Sequence, residues 1–214
     1  APLLGALAAP DALRPDGRLS RIRRESGRYA VGLRERFTER LYEEVVDRLV
    51  RGLWEAARAR GLSPLPDEDR LYRATLVLLF RLLFLLYAED RNLLPMRNAA
   101  YRRRSISEMV IAAAQTAQDQ RRTFDPMATS IWTDLRQLFE AVRAGNRDWG
   151  VPPYNGGLFE EDGLDGGLLA QVELPNAVLG EALYRLGWDT DEAGSGKIDF
   201  GDLGVRQIGT VYEG

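Results

Sequence analysis

The sequence predicts a mainly α-helical protein, an irregular bundle of about five or six helices with a glycine-rich, irregular C-terminal third. Three observations predict it. Apolar residues recur at helical spacing in long segments between residues 29 and 143. The breakers Gly61, Pro64, Pro66 and Pro95 fall at the ends of those segments, where helices stop. No run alternates apolar and polar residues cleanly enough to make a sheet. With 45% apolar residues in 214, the chain can bury a core without disulfides or metal.

Residues 1–18 are rich in Ala, Leu, Pro and Gly and read as a connector or tail. They lack the basic leading region of a signal peptide. A helical domain is expected over residues 19–150. Its first helix spans about Tyr29 to Arg60, with Phe37, Leu41, Val45, Leu49 and Leu53 every four residues and Gly61 as its C-terminal cap. Asp67 or Asp69 starts the second, which continues to about Asn92 and is apolar nearly all round, so it should lie at the centre. Its core, Ala74 to Ala88, is about fifteen residues and carries Arg81, too short and too charged for a membrane span of roughly 20 residues. Ser105 or Ser107 caps a third helix to about Gln120, with Glu108 at capping-box spacing from Ser105. Ser130 to Arg143 makes a fourth, with Trp132, Leu135, Leu138, Phe139 and Val142 on its apolar side. Residues 151–214 read as a loop section with short helices: turns at Asn155-Gly156-Gly157 and Asp165-Gly166-Gly167, a short helix capped by Asn176 to about Leu186, and a mobile loop over Asp189 to Gly196. Asp202 could cap a last amphipathic helix from Leu203, with Ile208, Val211 and Tyr212 near one face, that stops unfinished at Gly214. The expectation is a piece of a longer protein, leading into a catalytic domain.

Composition excludes several chemistries. With no cysteine and no histidine there are no disulfides, thiolate zinc sites, cysteine nucleophiles, serine triads or imidazole acid–base groups in this segment. The absence of cysteine fits a cytoplasmic protein. Lys197 is the sole lysine. Many nucleases place an acid two residues before a lysine to hold a metal and polarise water; here that position is Ser195. Charge is uneven: residues 1–150 carry +6 and residues 151–214 carry −9, within a net −3. A basic body beside an acidic section implies internal docking or a face meant for phosphate.

Three segments carry a family signal: Leu82 to Pro95 (Leu-Leu-Phe-Leu-Leu-Tyr-Ala-Glu-Asp-Arg-Asn-Leu-Leu-Pro), Tyr154 to Phe159 (Tyr-Asn-Gly-Gly-Leu-Phe), and Ile198 to Phe200 with Leu203 to Gly214. In order and spacing they resemble the helical connector ahead of the methyltransferase domain in single-chain type II restriction–modification enzymes, and in related adenine-specific DNA methylases of bacterial phage-defence systems. The resemblance covers about residues 20 to 214. It implies a segment with no catalytic, cofactor or metal residues of its own. It also implies a parent enzyme dependent on S-adenosylmethionine, an adjoining methyltransferase domain, a fused endonuclease domain in some cases, DNA as the partner, and no membrane.

Val151-Pro152-Pro153-Tyr154 resembles the catalytic loop of adenine methyltransferases, where an Asn or Asp accepts a hydrogen bond from the target amino group and the aromatic stacks on the flipped base. Val151 cannot accept that bond, so a rigid loop with Tyr154 packed inward is expected. Asn155, Gly156 and Gly157 read either as a tight turn needing positive φ or as a close approach to DNA or a neighbouring domain. Arg81, inside the most apolar helix, needs a partner; Asp134, Glu140 or an acid of the C-terminal section could serve. Arg97, Arg102, Arg103 and Arg104 cluster between the second and third helices, Arg121 and Arg122 follow the third, and Tyr101 lies among them. These are the candidate nucleic-acid contacts, to backbone phosphate and without sequence reading; a solvated loop beside the acids of residues 160–192 is the alternative. Two other functions remain open: an autonomous DNA-binding module, and a protein-interaction bundle unrelated to nucleic acid.

Overall fold

A computed structural model describes residues 41–154, 157–161, 166–191 and 194–201. The chain divides into two units, residues 1–42 and 43–214, and the helical core belongs to the second. Phe37, the terminal stretch Leu203 to Gly214, and the turn residues Asn155 and Gly156 lie outside the described residues.

The fold is mainly α-helical. A π-helical turn, Leu41–Val46, leads into α1 (Asp47–Ala59). Then come α2 (Glu68–Asp90), α3 (Ala99–Arg102), α4 (Ile106–Gln118) and α5 (Ser130–Ala144). A 3-10 turn (Gly157–Phe159) precedes α6 (Gly166–Gln171) and α7 (Asn176–Gly187), and a hairpin of β1 (Trp188–Asp191) and β2 (Gly194–Lys197) completes the described elements.

Local chemistry sets the ends of these helices. Past α1, Gly61 takes φ +71°, Leu62 N–H reaches Ala57 O and Gly61 N–H reaches Arg58 O, the paired bonds of a Schellman cap. Past α2 the same pair of bonds forms with Asn92 at φ +55°: Leu93 N–H to Ala88 O and Asn92 N–H to Glu89 O. Asn is one of the few residues with a side chain that enters this region readily. At the other end of α2, Asp67 accepts from Arg70 N–H at 2.8 Å.

Helix α2 is the centre. Leu71, Leu78, Leu79, Leu82, Leu83, Leu85 and Leu86 are buried around its circumference, and α1, α4, α6 and the 3-10 turn pack against it. By length and composition α2 could cross a membrane, but its charged residues Arg81 and Glu89 are buried against partners within the fold. Helix α7 lies against α1, α4 and α5. Glycines at these contacts allow close approach: a Cβ on Gly187 of α7 would stand 2.6 Å from Val110, and a Cβ on Gly52 of α1 would stand 2.6 Å from Val178.

Two sequence expectations are corrected. Asn176 does not cap its own helix. The first donors of α7 go elsewhere, Asn176 N–H to Ala128 O and Ala177 N–H to Asp125 O. The Asn176 side chain instead accepts from Ile131 N–H at 3.0 Å and donates to Ser130 Oγ, so it caps α5 across the fold. The stretch expected as a mobile loop, Asp189 to Gly196, forms the hairpin with Trp188 opposite Lys197. Its Asp, Gly and Ser residues carry no strand signal of their own. Tertiary bonds hold the pairing: Trp188 Nε1 and Gln118 Nε2 both donate to Ser195 Oγ, and Ile198 N–H reaches Gly187 O.

Candidate functional site

The C-terminal half of α2 anchors segments from elsewhere in the chain, and each anchor is polar. Arg81 comes first. Its Nε donates to Leu158 O at 2.8 Å and its Nη2 to Glu160 O at 2.9 Å. The guanidinium lies 5.3 Å from the centre of the Phe139 ring and 5.8 Å from that of Phe159. No carboxylate among the described residues forms an ion pair with it, so neither Asp134 nor Glu140 is the partner; Glu140 pairs with Arg143 instead. Burial pushes the Arg81 guanidinium below its ordinary value, and Glu161 and Glu160 at longer range draw it back up.

One turn on, Phe84 meets Phe159 and Tyr154 edge to face at 5.4 and 6.0 Å. Tyr154 N–H reaches Val142 O, and its hydroxyl donates to Leu93 O. Tyr154 is thus half-buried against the end of α2, and Val151 ahead of the prolines is buried. Gly157 opens the 3-10 turn that presents the carbonyl of Leu158 to Arg81.

Glu89 and Asp90 then act in opposite directions. Glu89 is buried and accepts from Tyr101 Oη at 2.7 Å, Ile106 N–H at 3.0 Å and Ser107 N–H at 3.0 Å. Ser105 Oγ takes Glu108 N–H at 3.2 Å. Together they satisfy the donors of the first turn of α4, and the carboxylate sits at the positive end of that helix. Asp90 faces the other side. Its two oxygens accept from Lys197 Nζ at 2.7 and 2.8 Å, and one also accepts from Phe200 N–H at 2.8 Å. The sole lysine therefore fastens the Ile198 to Phe200 segment to α2. Asp90→Asn is expected to cost about 1.5–3 kcal/mol, the range for a hydrogen bond to a charged group. Hydrogen exchange at Phe200 N–H should accelerate; unchanged exchange would show that the clasp holds nothing.

The candidate nucleic-acid contacts divide in two. Arg97, Arg102, Arg103 and Arg104 stay together in the turn around α3, all exposed, because Tyr101 is drawn inward by Glu89. Arg121 and Arg122 lie beyond the far end of α4, a 13-residue helix about 20 Å long. Arg122 pairs there with Asp119 at 3.3 Å. A second segment joins the α3 turn. Asn98 Nδ2 donates to Asp148 O at 3.3 Å, and Arg104 lies over the Trp149 ring at 5.2 Å. This brings Arg147 to the same end of the molecule. Arg51, Arg122, Arg136, Arg143 and Arg185 are all ion-paired, whereas among the described residues no carboxylate pairs with Arg97, Arg102, Arg103, Arg104 or Arg147. Guanidinium groups with no carboxylate partner have donors free for an outside oxyanion, phosphate among them. Sequence reasoning missed Arg147 and Trp149; the Gly145 and Gly150 flanks, at φ +81° and +72°, mark the tight turn that presents them.

No group of three or more metal-ligating side chains occurs among the described residues. Comparison with protein-family models, curated proteins and solved structures found no match.

Proposed function

We propose that the chain is a helical connector from a methylase-containing DNA enzyme of the restriction–modification type, cytoplasmic and without catalytic residues of its own. It holds the neighbouring S-adenosylmethionine-dependent domain, and an endonuclease domain where one is fused, in register on the DNA. The arginine turn braces the duplex backbone. The observation that carries this reading is the convergence on one helix of the segments that resemble the family. Leu82 to Pro95 is that helix end, Tyr154 to Phe159 is tied to it through Tyr154 and Arg81, and Ile198 to Phe200 through Asp90. A shared anchor of this kind suits a part whose work is to fix positions rather than to react. The unpaired arginines support contact with phosphate, because Arg122 and Arg143, by contrast, have their charge met within the fold.

Charge reversal tests the DNA part. Replacing Arg102, Arg103 and Arg104 by Glu in the intact enzyme should weaken duplex binding and lower the salt slope by about 2–3, at about 0.9 for each phosphate no longer neutralised. Fluorescence anisotropy over a salt series reads it, and an unchanged slope would sink the proposal. Tight duplex binding by the 214-residue chain alone would favour an autonomous DNA-binding module. A gene that encodes no methyltransferase beside this segment would favour an interaction bundle.

A further inference from the structure

The tight turn that follows α5 presents an indole. Asn146 and Val151 exchange both backbone hydrogen bonds, at 2.8 and 2.9 Å, and Gly150 N–H reaches Arg147 O. Trp149 N–H is held by Asn146 Oδ1 at 3.0 Å. The backbone of Trp149 is thus fixed, yet the residue is only half-buried. Two surfaces meet at its ring. Over it stands Arg104, whose guanidinium is 5.2 Å from the ring centre and donates through Nη1 to Ala100 O at 3.3 Å. The indole is also part of the lining of a groove of about 760 Å³ that runs along α5. Charge differs between the two surfaces. Arg97, Arg102, Arg103, Arg104 and Arg147 are exposed, and among the described residues no carboxylate pairs with them. In the groove, Arg136 pairs with Glu161 at 3.5 Å and Arg143 with Glu140 at 2.8 Å, and Glu173 stands beside them. The arginine side therefore has donors for phosphate, while the groove offers room but draws no anion in.

We infer that Trp149 is a stacking site for a base of an unpaired DNA strand, with the strand's phosphates on the arginines around α3 and on Arg147. The inference rests on the reading of this turn as a DNA contact and adds a base to it. A strand joins the two chemistries that meet here, an anionic backbone and an uncharged flat ring. Every base has a face that an indole can cover, so the site tolerates any sequence. In a duplex those faces are taken by the neighbouring base pairs, and only the phosphates are offered. The groove falls within the range of sites for organic ligands, about 300–1,000 Å³, which leaves room for a base beside the ring. An indole already fixed by its turn loses little freedom when a base arrives.

The test uses the 214-residue chain at low salt. The probes are fluorescein-labelled and about twelve nucleotides long, within the span of single-strand sites. One is a single strand, one is its blunt duplex, and one is a strand of abasic sugars with the same phosphates. Anisotropy titrations should show the single strand bound about tenfold more tightly than the abasic strand, the scale of one stacked base. Trp149→Ala should weaken the single strand by that factor and the duplex and abasic strand far less, and Trp149→Phe, which keeps a ring, should restore part of the loss. The native chain should also quench 2-aminopurine placed in the strand, and Trp149→Ala should not. Equal affinity for the intact and abasic strands overturns the inference, and that comparison needs no variant to fold. An equal loss of all three probes in Trp149→Ala also overturns it, since the indole would then only position Arg104. Charge reversal of Arg102 to Arg104 separates this site from the reading beneath it and should weaken all three probes. If it weakens none, the DNA contact itself fails. If it weakens all three while the abasic strand binds as well as the intact one, the phosphate contact stands and the base site does not.

Discussion

Glu89→Ala is expected to destabilise the protein by about 3–5 kcal/mol, the scale for breaking a buried, hydrogen-bonded charge network. The substitution removes one carboxylate but orphans three donors: the Tyr101 hydroxyl and the N–H groups of Ile106 and Ser107. Each becomes a buried polar group with no acceptor, costing about 1–3 kcal/mol. Urea unfolding followed by circular dichroism measures the loss, and a change under about 1 kcal/mol would mean that water replaces the carboxylate. The variant should also release Tyr101 and so disturb the arginine turn, which tests whether this knot positions the candidate interface.

The same residue predicts a pH dependence. Burial holds the Glu89 carboxyl above its ordinary value, against the Tyr101 hydroxyl and the N–H groups of Ile106 and Ser107 that draw it down. The folded state then binds this proton more readily than the unfolded state. The stability linked to it is fully present below the ordinary glutamate value of about 4.3 and is lost as pH rises through the raised one. Glu89→Gln removes the titration. The stability of the native chain relative to Glu89→Gln should therefore fall as pH rises across that window, and parallel curves would show that the carboxyl titrates normally.

The second large effect lies at the contact of α4 and α7. Gly187→Ala is expected to cost about 2–3 kcal/mol, because the new methyl meets two carbons of Val110 at 2.6 and 2.7 Å. Val110 is wholly buried and β-branched, so it cannot turn aside. Val110→Ala in the same chain should recover part of the loss, and the double-mutant cycle gives a coupling term opposite in sign to the single costs. Additive losses would mean that α7 moves away as a body instead.

Much of the fold was legible because helix ends are written locally. Asp67, Ser105, Gly61 and the apolar stripes of α1 and α5 all act within four residues of their own positions. The hairpin was illegible for the complementary reason: Asp189, Asp191, Gly194, Ser195 and Gly196 carry no strand preference, and contacts from α4 and Asp90 support the pairing. Asn176 was read as a cap, which it is, but for the wrong helix, since a side-chain acceptor does not state which donor will come within reach. For the candidate interface, the arginines around α3 could be read from their clustering, while Arg147 and Trp149 join them only through the turn that Asn98 ties down.

The sequence by itself determined that this chain is helical, that α2 is its centre, and that cysteine and histidine chemistry is absent. Only the tertiary structure decided what the charged residues of α2 do. Arg81 faced several candidate acids and took two carbonyls 77 and 79 residues away. Asp90 found its lysine 107 residues away. A helix needs only neighbours three and four positions off, so local spacing encodes it. A buried charge takes whichever partner packing brings within about 3 Å, and no local pattern records that choice.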